Sequence, residues 1–125
     1  MVSSGNKWRV STKSGSDLDA TSPLPQAGEW TYIVGTCDGS NLRLYVNGKL
    51  AAGPLTVTNA PNTASARIGT SVDNLYFNGM IDEARIYNRA LTAEEIQQLY
   101  YNVRPASAKV PSGKFQITNS KLKLP

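Results

Sequence analysis

The chain has no histidine and a single cysteine, Cys37, among its 125 residues. A catalytic Cys–His pair is therefore excluded, and so is any intrachain disulfide; the missing disulfide leaves the compartment open, because many surface modules carry none. No run of about 20 apolar residues is present to cross a membrane as a helix. Nor does a charged segment lead into an apolar one in the manner of a secretory signal, so if the parent protein is exported its signal is expected upstream of this sequence. Long basic clusters are also lacking. The net charge is +4 and the pI about 9.3, but the cations stand singly along the chain, the densest group being Lys121 and Lys123. Binding to a phosphate backbone needs several cations on one stripe, so nucleic acid is not an expected partner. The hydrophobic fraction of 40% against 18% charged residues is that of a folded protein, not of a disordered one. The length suits one domain with one core.

What the chain does have is a succession of short alternating segments separated by turn residues. Lys7–Lys13 alternates around Trp8 and Val10, and Ser14–Gly28, rich in Ser, Gly, Pro and Asp, reads as a loop. Glu29–Thr36 predicts a strand with Trp30, Tyr32 and Val34 on one face and Thr31 and Ile33 on the other. The Asp38-Gly39 pair predicts a tight reversal. Asn41–Asn47 then alternates, with Leu42, Leu44 and Val46 on one face and Arg43, Tyr45 and Asn47 on the other. Asn47-Gly48 is the strongest hairpin signal in the chain, with Lys49–Ala52 as the returning strand. Leu55–Thr58, Ala66–Gly69 and Tyr76–Asn88 are further strand candidates, the last interrupted by Asn78-Gly79. Trp8 and Trp30 are expected in the core.

One helix is expected. Thr92-Ala93-Glu94-Glu95 has the form of a capping box, with Leu91 and Ile96 at the two positions of a hydrophobic staple. Ile96, Leu99, Tyr100 and Val103 form one apolar stripe, and the helix should end before Pro105. Pro105–Gly113 has linker composition, and Lys114–Leu124 alternates weakly, as a further strand or a tail.

Five ordered segments resemble the laminin-G-like branch of the concanavalin A-like lectin/glucanase superfamily. They are Gly28-Glu29-Trp30-Thr31-Tyr32-Ile33-Val34-Gly35-Thr36; Asp38-Gly39 with Leu42-Arg43-Leu44-Tyr45-Val46-Asn47-Gly48-Lys49; Arg67-Ile68-Gly69; Phe77–Thr92; and the helix Glu94–Tyr100. The resemblance implies an all-β fold, an antiparallel β-sandwich of jelly-roll type with one short C-terminal helix. It implies a sandwich over residues 1–103, without the family's first strands, and a linker or added strand over 104–125. The first strands would come from another chain or be replaced by Phe115–Leu124; otherwise an open sheet edge is left to pair with other chains.

The resemblance also implies a non-catalytic extracellular or cell-surface module for carbohydrate binding or cell adhesion, recognising a glycan or another protein. Sugar-binding candidates are Tyr45, Asn74, Tyr76, Phe77, Asn78 and Tyr87, with core packing as the alternative for each aromatic. In this superfamily an Asp at the position of Asp82 often helps hold a structural calcium ion. Asp82 shares its predicted face with Met80, Ala84 and Ile86, so it is expected to point inward, where a carboxylate needs a cation or hydrogen bonds. Asp38 is a second candidate calcium ligand, with a plain turn role as its alternative. Asp17, Asp19, Asp73 and Asn74 offer loop oxygens without EF-hand spacing. Glycosidases need two carboxylates facing each other across the bond. Asp82 and Glu83 are adjacent and face opposite sides of a strand, while Glu94 and Glu95 belong to the helix cap, so no catalytic pair is expected. Phosphate-binding loops, zinc spacing and the GxSxG elbow are likewise missing. Two alternative roles remain: a structural subunit whose sandwich neighbouring chains complete, and a glycoside hydrolase.

Overall fold

The computed structural model describes residues 2–3, 6–12, 14–58, 66–70, 76–103 and 121–123. Among them are nine strands and one helix: β1 (Val2–Ser3), β2 (Lys7–Ser11), β3 (Asp17–Ala20), β4 (Trp30–Thr31), β5 (Ile33–Cys37), β6 (Asn41–Val46), β7 (Lys49–Thr56), β8 (Met80–Asp82), α1 (Ala93–Val103) and β9 (Lys121–Lys123). They form three antiparallel sheets in the orders β1-β2-β3, β5-β6-β7 and β4-β9-β8.

The β5-β6-β7 sheet is the middle layer, and the period-2 alternation of its strands decides what each face meets. On one face Ile33, Leu44 and Val46 pack against Trp8 and Ala20 of the β1-β2-β3 sheet, with Val10, Leu18 and Phe77 at the margin. This is the sandwich core. On the other face Tyr32 and Tyr45 pack against Leu91, Ile96 and Leu99, which bring α1 across the sheet. The Trp8 indole N–H is buried without a hydrogen-bond partner among the described residues.

The hairpin signals are realised. Asn47 and Gly48 have φ of 51° and 77°, the doubly left-handed pair of a two-residue turn, and join β6 to β7. Asn47 also bridges the step between β4 and β5. Its N–H donates to the Tyr32 carbonyl at 2.8 Å, and its side-chain Oδ1 accepts from the Tyr32 N–H at 3.0 Å. The predicted strand 29–36 is thereby two: β5 runs beside β6, while β4 pairs with β9.

The helix starts as the capping box requires. Thr92 Oγ1 accepts from the Glu95 N–H at 3.2 Å, and Glu95 Oε2 accepts from the Thr92 N–H at 2.9 Å. Leu91 and Ile96 are both buried, as a staple should be. Arg89 adds a fork of two hydrogen bonds to Glu95, at 2.7 and 2.8 Å, tying the incoming chain to the cap.

Four sequence expectations need correction. The stretch 14–28 is not all loop. It contains β3, whose Asp19 lies opposite Arg9 on β2 and receives two hydrogen bonds from its guanidinium at 2.6 and 2.9 Å, while Asp17 pairs with the same Arg9 at 2.9 Å. These acids are held by Arg9 and are not loop oxygens. Trp30 is not core: it is 42% exposed, because it precedes the step at Tyr32 and pairs with β9 instead of entering the middle sheet. Ala66–Gly69 forms no strand; Thr70 makes an isolated bridge to Tyr76, and Phe77 N–H donates to the Gly69 carbonyl at 2.7 Å. Finally, the long strand 76–88 shrinks to β8. Glu83 adopts φ 50°, which ends the alternation, and residues 84–88 continue as irregular, exposed chain.

The expected linker 105–113 and most of the alternating tail lie outside the described residues. Of the tail, Lys121–Lys123 is seen as β9, filling the place between β4 and β8.

Candidate functional site

Two contiguous pieces of chain run along a cleft with a volume of about 530 Å³. One wall is all of β5, Ile33 to Cys37. The other is the irregular segment that follows β8, Ala84 to Arg89, with Leu91 beyond it. Val10, Ile68 and Ile81 contribute from the sandwich side. The size lies within the roughly 300–1,000 Å³ of small-ligand sites.

The local chemistry of the cleft follows from its two walls. β5 is an outer strand of its sheet, with β6 as its one ladder neighbour among the described residues. The Glu83 break throws the following segment off the sheet, leaving Ile86 78% exposed. The lining is largely apolar and, among the described residues, includes neither aspartate nor glutamate. Its cations are Arg85 and Arg89, and Arg89 is already held by Glu95. Tyr32 and Tyr87 are its two phenols. Burial pushes the Tyr32 hydroxyl up to about 12; a neighbouring Tyr87 adds to the rise and Arg85 opposes it.

A second hollow, of about 500 Å³, lies between the β6–β7 hairpin and α1, lined by Ser22, Pro23, Asn47, Lys49, Tyr100 and Tyr101 among others. The Tyr100 and Tyr101 rings are 5.8 Å apart at its rim.

The candidate sugar-binding residues are not gathered in one place. Tyr45 is buried beneath α1, 6% exposed, so it packs the core and presents no aromatic face to a ligand. Its strand face was legible; that a helix covers that face was not. Phe77 is half-buried with its ring 6.4 Å from Trp8, again as packing. Tyr76, 75% exposed, and Asn78 are at the surface. Tyr87 lines the cleft. Asn74 lies outside the described residues, as does Asp73. The joint lining by β5, Ile68, Ile81, Arg85 and Ile86 has no local signal, because these residues are remote in sequence and joined by the fold alone.

The carboxylates do not fit a calcium ion, which needs six to eight oxygens around it. Asp82 does not point inward: all of β8 is exposed, and Asp82 Oδ1 accepts from the next N–H, that of Glu83, at 2.8 Å. Asp38 is a turn residue with both oxygens engaged. Oδ1 accepts from the Ser40 and Asn41 N–H groups at 3.0 and 2.7 Å, and Oδ2 from Arg43 at 2.8 Å. Arg43 first, then these two amides, hold its carboxyl far below the usual carboxylate range. No group of three or more His, Cys, Asp or Glu able to hold a metal occurs among the described residues.

No curated protein matches the sequence. Among solved structures, the chain is similar to a crystal structure of an S-layer domain-containing protein from Clostridium thermocellum, at 29% identity and a TM-score of 0.53. The match covers 75% of this chain and 50% of the other, so the chain spans about half that structure's length. The laminin-G family described as the concanavalin A-like lectin/glucanases superfamily matches residues 1–97. With the Asn47-Gly48 hairpin, the capped helix and the antiparallel sandwich in place, this match shows that the chain belongs to the laminin-G-like branch of the concanavalin A-like superfamily.

Proposed function

We propose that the chain is a non-catalytic recognition or adhesion module of an extracellular or cell-surface protein, and that it grips a glycan or protein partner in the cleft beside β5. The observation that carries this reading is the composition of the cleft. It is largely apolar, and its described residues include no carboxylate to serve as acid, base or nucleophile. The similarity to an S-layer domain-containing protein supports a surface location. A fold of this kind hosts enzymes, lectins and structural domains alike, so the cleft and not the architecture is the basis of the proposal. The test is binding of the purified chain to a glycan array and to a panel of extracellular proteins. A specific partner whose binding is weakened by Tyr87→Ala or Ile86→Asp is the expected result. Binding to neither panel, or release of reducing sugar from a polysaccharide, would overturn the proposal.

A second reading, a subunit whose neighbours complete the sandwich, is favoured by the outer position of β5, which has β6 as its one ladder neighbour among the described residues, and by the exposed segment that faces it. Sedimentation of a stable monomer across the micromolar range would remove it.

A further inference from the structure

The dipeptide Asn-Gly occurs twice in the chain, at Asn47-Gly48 and at Asn78-Gly79. It has a chemical property besides its preference for turns. The backbone nitrogen that follows an asparagine can reach the side-chain Cγ, and a glycine in that place has no Cβ to obstruct the approach or stiffen the backbone. Whether the two atoms react depends on how firmly the fold holds them apart.

At Asn47-Gly48 the fold holds them. The Asn47 Oδ1 accepts from the Tyr32 N–H at 3.0 Å, and the Asn47 N–H donates to the Tyr32 carbonyl at 2.8 Å, so the carboxamide is pinned to the chain beside it. The turn is closed by the Val46–Lys49 pair, and Gly48 is buried against the Tyr100 ring. Asn78-Gly79 is placed differently. Both residues are exposed, and both lie outside the ladders, directly before β8. The chain is anchored on either side of them. Phe77 N–H donates to the Gly69 carbonyl at 2.7 Å, the Phe77 ring lies 6.4 Å from Trp8, and Met80 pairs with Lys123. The dipeptide is a short exposed link between two fixed points.

We propose that Asn78-Gly79 is a self-modifying site, at which the folded chain deamidates itself with water as the co-reactant, while Asn47-Gly48 is protected by its hairpin. The Gly79 nitrogen gives its proton to solvent base and attacks Asn78 Cγ. The new N–Cγ bond closes a succinimide ring, and the Cγ–Nδ2 bond breaks as ammonia leaves. Water then opens the ring. Its addition at Cγ leaves aspartate; its addition at the main-chain carbonyl carbon of residue 78 leaves isoaspartate, in which the main chain runs through Cβ. One water enters, one ammonia leaves, and nothing is oxidised or reduced. The product carries a new carboxylate, so the net charge falls by one from +4. The isoaspartate form also lengthens the backbone between the Phe77 anchor and the Met80–Lys123 pair, which disturbs the entry to β8. The modification is independent of any partner the module recognises.

The test incubates the full chain in mildly alkaline buffer, folded and in urea, and follows the tryptic peptides 44–49 and 68–85 by mass spectrometry. Fragmentation places the change at Asn78 or Asn74 within the second peptide and separates aspartate from isoaspartate. In urea the two Asn-Gly sites are expected to react at similar rates, because the dipeptide is the same. In the folded chain Asn78 is expected to keep its rate and Asn47 to fall about thirtyfold behind, the factor for opening two hydrogen bonds. Gly79→Ala, at an exposed position outside the strands, is expected to slow Asn78 and leave Asn47 unchanged. Equal rates at the two sites in the folded chain would overturn the selection of Asn78 by the fold. Reaction of Asn78 in urea alone would overturn the proposal altogether. Aspartate without isoaspartate, or a Gly79→Ala chain that reacts as fast as the wild type, would overturn the route through the Gly79 nitrogen. Ion exchange isolates the aged chain by its lower charge. Its isoaspartyl fraction is expected to melt below the fresh protein, and identical melts would overturn the disturbance of β8.

Discussion

Replacing Gly48 by alanine tests how the sheet and the helix are joined. Gly48 is the second residue of the β6–β7 turn, buried, at φ 77°. A Cβ built there would lie 2.9 Å from both Cβ and Cδ1 of Tyr100 on α1, closer than real Cβ atoms approach other atoms. Two costs follow. The left-handed backbone costs a residue with a Cβ about 1–2 kcal/mol, and forcing a methyl into packed surroundings costs about 1–3 kcal/mol. Gly48→Ala should therefore destabilise by about 2–5 kcal/mol, a large share of the roughly 5–15 kcal/mol typical of a domain. Gly39→Ala supplies the comparison. Gly39 also has a positive φ, 95°, but its built Cβ meets nothing within 4 Å. It should lose only the backbone part, about 1–2 kcal/mol. Urea unfolding followed by tryptophan fluorescence gives both values, and unchanged m-values would show that the same surface is exposed in each variant. Tyr100→Ala in the Gly48→Ala background removes two of the three close contacts and should recover part of the loss. If Gly48→Ala is no more destabilising than Gly39→Ala, the hairpin tip is not packed against the helix.

Three further outcomes are expected. The Glu95 carboxyl is held down to about 2, by Arg89 first and the Thr92 amide second. Its folded pKa lies below its unfolded one, so its contribution is present above the ordinary value of 4.5 and is lost as pH falls toward 2; acid titration of Glu95→Gln should show a shallower loss of stability across that window than the wild type. Tyr32 behaves in the opposite sense. Its folded pKa of about 12 exceeds the ordinary 10, so stability is intact below pH 10 and falls as pH rises toward 12; Tyr32→Phe should flatten that alkaline decline in thermal melts, and an unchanged profile would count against burial of the hydroxyl. Lastly, the melting temperature should be the same in calcium and in EDTA, since a ligand that binds only the folded state would raise it; a calcium-dependent rise would reveal a site beyond the described carboxylates.

Much of the sandwich was legible in the sequence because it is carried by local signals. Asn47-Gly48 specifies its own turn, Leu42, Leu44 and Val46 keep strict alternation, and the Thr92 cap with the Leu91–Ile96 staple marks the helix start to the residue. What escaped depends on contacts across the fold. Asp17 and Asp19 look like loop residues until Arg9 lies opposite them. Alternation puts Tyr45 on one face of β6 but says nothing of whether water or α1 lies there. For Asp82 the alternation itself fails one residue later, at Glu83, so the inferred inward face does not exist. The cleft was invisible for the same reason: β5 reads as an ordinary strand, and only the sheet order shows that one side of it is an edge.

The place of β9 has a consequence for synthesis. Its residues 121–123 pair with Trp30–Thr31 and with Met80–Asp82, so the partners of the β4-β9-β8 sheet are separated by as many as 93 positions, Trp30 to Lys123. At about 5–20 residues per second, a ribosome needs several seconds to cover that interval. From the completion of β8 onward, β4 and β8 have both been made while the strand that joins them has not. A nascent chain on a crowded polysome thus holds the unfilled place of β9 side by side with that of its neighbours, and the order of synthesis makes exchange of β9 between adjacent chains a hazard built into the topology.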